Sequence, residues 1–495
     1  MKVLWLCNTM IPMIAEELNL EPSNKEGWIS GMVDMVLRGQ KENGVELSMA
    51  IPVPRFMFPV NHDICMRVIK RNGATLTFYG FYEETRHAEV YDESLERKLN
   101  KIVEAVKPDL VHCFGTEYPH TLAMCRIFPD KRRLLIGLQG LCALYAEAYY
   151  SNMPEKAIRK VTFRDNLRRD SLVEQQQKFV KRGVMEKEAI KLAGNITGRT
   201  EWDRLFTKKL NNSCRYFNMN EILRPEFYQG QWEPEKCTPH SIFISQGDYP
   251  LKGLHYMLTA MPDILARYPD AMLYVAGDIM VNYQTLKQKL KISAYGKYLR
   301  RLMKENSLFN KVKFVGRLNS VQMRDMYLSS SLFVCCSSLE NSPNSLGEAM
   351  LLGMPCVTAD VGGIPSLFVD GEDGIMYEGY RIGKTQKNSK GNLNEENEKQ
   401  LKAVSKRLAN AVIEMWKNPE KQAEYCKNAR KHAAKTHRPE RNYRKLMEIY
   451  AKILSDEESD DDKVNDRYNQ VNDRYNQVND RDNQVNDRDN DKDIS

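Results

Sequence analysis

Two glutamates stand eight positions apart in Glu340-Asn-Ser-Pro-Asn-Ser-Leu-Gly-Glu348. The run follows an apolar stretch, Ser331-Leu-Phe-Val-Cys-Cys336, and leads into Ala349-Met-Leu-Leu352. This order predicts a buried strand, a small polar loop and a helix start. Folds of the α/β class hold phosphates and ribose at such junctions. The second carboxylate would lie in the helix's first turns, where negative charge suits the dipole. The backbone N–H groups of Ser345 and Leu346 are expected to point outward and suit a diphosphate. Asn344 lies at the same turn. Lys252 sits between a strand end and Gly253, a position suited to an anion ligand. The plain alternatives are two surface glutamates flanking a turn and a solvated lysine.

Those residues need a scaffold. With 495 residues, more than one core is expected. Short apolar strands are predicted at Val3–Leu6, Val45–Ile51, Leu110–Phe114, Leu134–Leu138 and around Ile196. A second set is predicted at Ile242–Ser245, Met272–Ala276, Val312–Val315, Leu332–Cys335 and Cys356–Thr358. Near-continuous apolar strands between helical segments argue for two doubly wound α/β domains with parallel sheets. The boundary is expected near Pro225–Pro239.

The remaining chain narrows the function classes. No apolar run reaches the length of a membrane span. The 11 cysteines are scattered and odd in number, without zinc spacing, which suggests reduced thiols in a cytosol. The net charge of +7 conceals a tail, 455–495, with 14 acidic and 6 basic residues. A basic body suggests an anionic partner: a nucleotide, an anionic lipid surface or nucleic acid. Residues 145–192 read as a long basic helical region, either solvated or touching anionic lipid or an acceptor. Residues 381–402 read as a polar loop. Heptapeptide copies begin at Val464, Val471, Val478 and Val485. One valine per seven is too thin a coiled-coil seam, so disorder is expected there.

Taken together, these residues resemble the retaining glycosyltransferases of the family 4 type (glycosyltransferase group 1). The resemblance rests on Ser338-x-Glu340-x7-Glu348-Ala349-Met350, Gly353-x-Pro355-x-Val357 and Gly362-Gly363-Ile364. Phe314-Val-Gly-Arg-Leu318, Tyr249-Pro-Leu-Lys252-Gly253, Tyr274-Val-Ala-Gly-Asp278 and Gly27-Trp28 extend it over residues 1 to about 455. It implies the GT-B fold, two Rossmann-like domains facing across a cleft, plus a disordered C-terminal tail. The expected divisions are an acceptor-side domain at 1–225 and a nucleotide-sugar domain at 226–440. A helix at 441–455 would cross back, and the acidic tail would occupy 456–495.

The resemblance also implies roles. Glu348 would meet the ribose hydroxyls, Glu340 the donor sugar, and Lys252 the leaving diphosphate. Gly27 would approach the diphosphate, and Gln246, Asn344, Ser345 and Leu346 would line the donor site. The donor substrate would be a nucleotide diphosphate sugar. No cofactor and no metal are expected, because the body has no Asp-x-Asp and a lysine with N–H groups can stabilise the leaving charge. Partners would be a glycan or lipid-linked acceptor and an anionic membrane surface, with no nucleic acid.

Two positions depart from the family pattern. Gln246 stands where a second cationic diphosphate ligand is common, and Gln139 where a His faces the sugar. Both keep polarity without charge. With no nucleophile at Gln139, front-face attack assisted by the leaving phosphate is the remaining route. Glu117 is a candidate on the acceptor side, against a plain capping role. His112, His120 and Arg199 lie near strand ends, with structural roles as the alternative. The competing functions are a catalytically impaired sugar-nucleotide binder and a GT-B epimerase or phosphorylase. A Rossmann oxidoreductase is disfavoured, since Cys7-Asn-Thr-Met10 follows the first strand without a glycine-rich turn.

Overall fold

The computed structural model describes residues 1–20, 27–59, 62–382 and 393–455. The heptapeptide tail lies outside the described residues. So do residues 383–392 of the polar segment expected as a loop at 381–402, but from Leu393 onward that stretch is helical (Leu393–Lys417). Glu395, Glu396 and Glu398 there read as loop, yet Leu401, Val404, Leu408 and Val412 recur at helical spacing and are buried.

The first sheet contains β1 (Lys2–Cys7), β2 (Glu46–Pro52), β3 (Ile64–Arg71), β4 (Ala74–Phe81), β5 (Leu110–Phe114), β6 (Leu134–Gly137), β7 (Asn195–Gly198) and β8 (Arg215–Asn218). Its order is β3-β4-β2-β1-β5-β6-β7-β8. Only β3 runs antiparallel. The second sheet contains β9 (Thr238–Ile244), β10 (Met272–Ala276), β11 (Val312–Gly316), β12 (Ser330–Cys335), β13 (Cys356–Asp360) and β14 (Ile375–Glu378). Its order is β11-β10-β9-β12-β13-β14, all parallel. The two doubly wound α/β sheets are as the apolar strand pattern predicts.

Four strands went unread. β3 and β4 form a hairpin around Asn72 and Gly73, both with positive φ. An Asn-Gly pair between alternating apolar residues is a strong hairpin signal. β3 escaped notice because it is an edge strand: Met66 and Val68 are exposed and Arg67, Lys70 and Arg71 interrupt it. β8 and β14 are four-residue edge strands.

Topology positions the site. The chain winds one way from β9 through β11 and the other way from β12 through β14, so the direction switches between β9 and β12. In the first sheet the switch falls between β1 and β5. Such switch points leave a crevice at the strands' C-terminal ends. Lys252 and Glu340 follow β9 and β12; Glu117 follows β5.

The basic region 145–192 is not one long helix. It breaks into helices Cys142–Ala148, Glu155–Ile158, Phe163–Arg168 and Leu172–Leu192. Two breaks follow from caps: Thr162 with Asp165, and Ser171 with Glu174, form reciprocal capping boxes. Ala148, Tyr149, Met153, Ala157 and Ile158 join the same core as the second sheet. The Ser151 carbonyl accepts from Tyr256 at 2.8 Å and also contacts His255 Nε2 at 2.8 Å. This segment therefore straps the two sheets together. The last helix, Pro439–Leu454, returns to the first sheet, where Trp5 Nε1 donates to Tyr450 Oη at 2.8 Å.

Candidate active site

Two loops bring the C-terminal side of the site together. Lys252 closes the short 3-10 turn Pro250–Lys252 after β9. Gly253 follows with φ +70°, and a Cβ there would lie 1.8 Å from the Cys336 carbonyl oxygen. Only glycine allows the β9 loop to lie against the end of β12. Ser338 N–H then donates to Leu251 O at 2.8 Å. Gly362 does the same on the other side: a Cβ would lie 2.0 Å from Glu340 O, and Gly363 N–H donates to that oxygen at 2.9 Å.

So held, Lys252 Nζ lies 2.6 Å from Glu340 Oε1, which also accepts from Ser337 Oγ at 2.7 Å. Burial works against the lysine's charge. The Glu340 carboxylate, the Tyr249 ring and hydroxyl and the hydrogen bond outweigh it, holding the ammonium well above the ordinary lysine range. The pair presents a fixed positive group beside a carboxylate at the crevice.

Glu348 lies in the helix Asn344–Leu352 and is buried. Its Oε1 accepts from Arg224 Nε at 2.9 Å and Nη2 at 2.7 Å. Burial pushes its carboxyl up, and Arg224 partly offsets this. Ser345 and Asn344 are partly exposed at the same turn. Leu346 departs from expectation. Its side chain is buried, and its N–H turns back to Pro343 O at 3.1 Å instead of facing out.

The opposite wall comes from the first sheet. Glu117 Oε1 accepts from Gly140 N–H at 2.7 Å, and Arg182 Nε donates to the Glu117 carbonyl at 2.8 Å. Burial pushes the Glu117 carboxyl up; the Gly140 N–H and Arg182 pull it back. Gln139 does not aim its amide at the crevice. Its Nε2 donates to Glu221 Oε1 at 2.7 Å, because Glu221 enters the space beside it.

Glu221 was not expected as a site residue and proves central. Its Oε2 accepts from Arg199 Nη1 at 2.9 Å and from Asn344 Nδ2 at 2.8 Å. Arg199 also donates to Asn344 Oδ1 at 2.6 Å and to Ser342 O at 3.0 Å. Thr200 Oγ1 donates to Asn341 Oδ1, and Asn341 Nδ2 donates to Gln139 O, both at 3.0 Å. Arg199 therefore joins the two walls. His112 and His120 are structural. His112 is buried against Tyr450, its pKa pulled down to about 3 by burial. His120 pairs with Glu83 at 2.6 Å.

Tyr145 is a second unforeseen member. Its ring packs over Gly140, where a Cβ would meet it at 2.8 Å. Burial first, then the charge of Glu340, pushes its hydroxyl well up. Lys252 opposes that shift and Glu117 adds to it, so the phenol is coupled to both walls. The aromatic run Leu144-Tyr-Ala-Glu-Ala-Tyr-Tyr150 was the only available signal.

Gln246 and Tyr249 line a cleft of about 620 Å³ with Asp278, Arg317, Lys178 and Arg182. The strap helices thus set cations opposite Gln246. Gly27 opens the helix Gly27–Arg38, and the chain before it, 21–26, lies outside the described residues. Among the described residues, no three His, Cys, Asp or Glu side chains group as metal ligands.

Two doubly wound parallel sheets with a crevice between their C-terminal strand ends define a GT-B architecture. Residues 232–406, which hold the second sheet and its loops, match the family model described as Glycosyl transferases group 1. The chain is 28% identical over 127 residues to spore coat protein SA of Bacillus subtilis (strain 168), covering 26% of this chain and 32% of that one. It is 24% identical over 177 residues to D-inositol 3-phosphate glycosyltransferase 2 of Catenulispora acidiphila, covering 34% and 36%. The chain thus matches about a third of the length of these relatives. Similar structures include sucrose-phosphate synthase from Thermosynechococcus elongatus, with TM-score 0.59 at 14% identity over 92% of this chain and 100% of that one. HepE of Anabaena in complex with UDP-glucose gives 0.57 at 15% over 92% and 100%. These structural likenesses show the fold.

Proposed function

We propose that the chain is a retaining glycosyltransferase of the family 4 type, moving a hexose from a nucleotide diphosphate sugar to an acceptor hydroxyl without a metal. The observation that carries this reading is the Lys252–Glu340 pair, held at the switch point of the second sheet with Tyr145 near it. Lys252 takes the charge that grows on the leaving diphosphate as the anomeric C–O bond breaks. Glu340 orients the donor sugar hydroxyls, Glu348 meets the ribose, and Asn344, Ser345 and the turn after Gly27 complete the donor site. The acceptor oxygen bonds to the anomeric carbon on the face the diphosphate leaves. Its proton passes to the departing phosphate oxygen, so no side-chain nucleophile is needed.

Gln246 supplies no charge, and Arg182, Lys178 and Arg317 in the same cleft take over that part. Residues 1–225 form the acceptor side, 226–440 the donor side, and 441–455 the return helix. The UDP-glucose bound by HepE supports a nucleotide-sugar donor here. The acceptor is a glycan or lipid-linked glycan of surface polysaccharide or glycoconjugate synthesis, met by a cytoplasmic protein that associates peripherally with an anionic membrane.

Thermal unfolding of the protein with a panel of sugar nucleotides tests the reading. The cognate donor binds only the folded state and raises the midpoint. If no nucleotide diphosphate or its sugar raises it, the transferase reading fails. Binding without any transfer or hydrolysis would favour the impaired binder, which the engagement of Gln139 by Glu221 also fits.

A further inference from the structure

We infer that the protein docks on an anionic lipid bilayer through one composite face, built from the strap helix Phe163–Arg168 and the helices Leu286–Lys291 and Ala294–Glu305. This inference rests on the peripheral association proposed above and assigns it a place away from the long helix Leu172–Leu192. That helix buries Gly183, Glu186, Ala189 and Ile190 against the first domain.

The face combines two properties that rarely coincide on a soluble surface. Its apolar side chains stand in solvent: Leu167 and Leu286 are each 75% exposed, Phe163 64% and Val161 55%. Phe163 and Leu167 lie on one helix and Leu286 on another that packs against it, with Val161 just before the first. Contiguous exposed apolar groups mark an interaction site. Around them cations outnumber carboxylates, with Asp170 and Glu305 as acids at the edges. From Ile279 to Lys304 the sequence has Lys287, Lys289, Lys291, Lys297, Arg300, Arg301 and Lys304 and no acidic residue. On the strap, Lys160, Arg168 and Arg169 are exposed. The carboxylate within the strap helix itself, Asp165, is buried and used internally, accepting from Ala294 N–H at 2.9 Å and so fixing the strap helix to its neighbour.

A groove of about 630 Å³ continues the face. Lys156, Lys160, Lys297, Arg301 and Lys304 rim it, and no carboxylate lines it. The Arg300 guanidinium lies 5.0 Å from the ring centroids of both Tyr283 and Phe309. Cations above an apolar floor fit a lipid phosphate with its glycerol beneath. A soluble polyanion would use the cations and leave Leu167 and Leu286 in water. A bilayer uses both, because apolar side chains insert at the headgroup boundary while lysines meet anionic lipid. Among the described residues no helix is long and apolar enough to cross a membrane, so this contact is superficial.

Co-sedimentation of the full chain with vesicles tests the inference. Vesicles of phosphatidylcholine containing about one third phosphatidylglycerol should carry the protein down, and pure phosphatidylcholine should not. Added salt should weaken the binding. The double variant Leu167→Ser, Leu286→Ser removes only exposed side chains, and should bind the anionic vesicles about tenfold less. Equal binding of both vesicle types, or wild-type binding by the double variant, overturns the face. A change in the variant's mass by analytical ultracentrifugation also overturns it, because the face would then join protein to protein. Nucleotide titration of the same variant should match wild type. Loss of vesicle binding with intact donor binding isolates this inference from the transferase reading.

Discussion

On the C-terminal wall of the cleft, Lys252–Glu340 is a compact pair within one wall, while Glu348 is met by Arg224 from the link between the domains. On the N-terminal wall, the buried ion pair Arg199–Glu221 reaches across to Ser342 and Asn344. One wall keeps its charges at the crevice; the other uses its charge to join the walls. The difference predicts separable defects: changes on the first wall should damage chemistry, and changes at the junction should damage stability.

The largest effect is expected at the junction. Arg199 and Glu221 side chains are 5% and 7% exposed. Arg199→Ala leaves Glu221 buried without its cation, which costs about 3–5 kcal/mol. Chemical denaturation should show this, with Glu221→Gln in the Arg199→Ala background recovering part of the loss. A stability loss under about 1 kcal/mol would show that the junction is wet and open in solution.

Lys252→Ala comes next: it leaves buried Glu340 with the Ser337 hydroxyl alone and so lowers stability too, but turnover of the folded protein should fall about 10²–10³-fold, the range for removing one charge-stabilising donor. Lys252→Arg should recover part of it, since the cation is kept with different geometry. Steady-state kinetics with the cognate donor decides. Full activity in Lys252→Ala would erase the contrast between the walls.

A third test concerns pH. Glu186 is buried beneath the N-terminal wall, accepting from Thr116 Oγ1, Cys142 N–H and Ala143 N–H. Burial pushes its pKa up to about 7, with those donors opposing. The folded value lies above the unfolded one, so its protonated form stabilises the fold. That contribution is complete below about pH 4.5 and is lost as pH rises through 7, in total on the order of 3 kcal/mol. The wild-type unfolding free energy should therefore fall between pH 5 and 8 relative to Glu186→Gln, whose curve should lack that slope.

The same contrast explains what the sequence disclosed. The C-terminal wall was legible because each residue follows a short apolar strand: Lys252 after β9, Glu340 and Glu348 after β12. Local order is enough to place them. The N-terminal wall depends on partners far apart in sequence, such as Glu221 with Asn344 and Gln139, or Tyr145 with Glu340. No local pattern marks Glu221, a single acid between Asn220 and Ile222. The hairpin at Asn72-Gly73 was different, since its signal was present in the turn and was outweighed by the charged edge strand. The basic region 145–192 is helical as read, but two capping boxes at Thr162 and Ser171 divide it, a division the composition alone did not show.

The smallest effect should come from the return helix, where buried polar contacts serve packing alone. Tyr450 Oη accepts from Trp5 Nε1 at 2.8 Å and lies 2.9 Å from His112 Nδ1. With His112 held neutral by burial, the phenol donates to that nitrogen. Tyr450→Phe keeps the ring and removes both bonds, leaving a buried indole N–H and an imidazole nitrogen without partners. The cost should be about 1–2 kcal/mol in denaturant unfolding. Turnover should not change, because neither group faces the crevice. If turnover falls together with stability, the return helix sets the position of the N-terminal wall, and the division between a chemical wall and a structural one no longer holds.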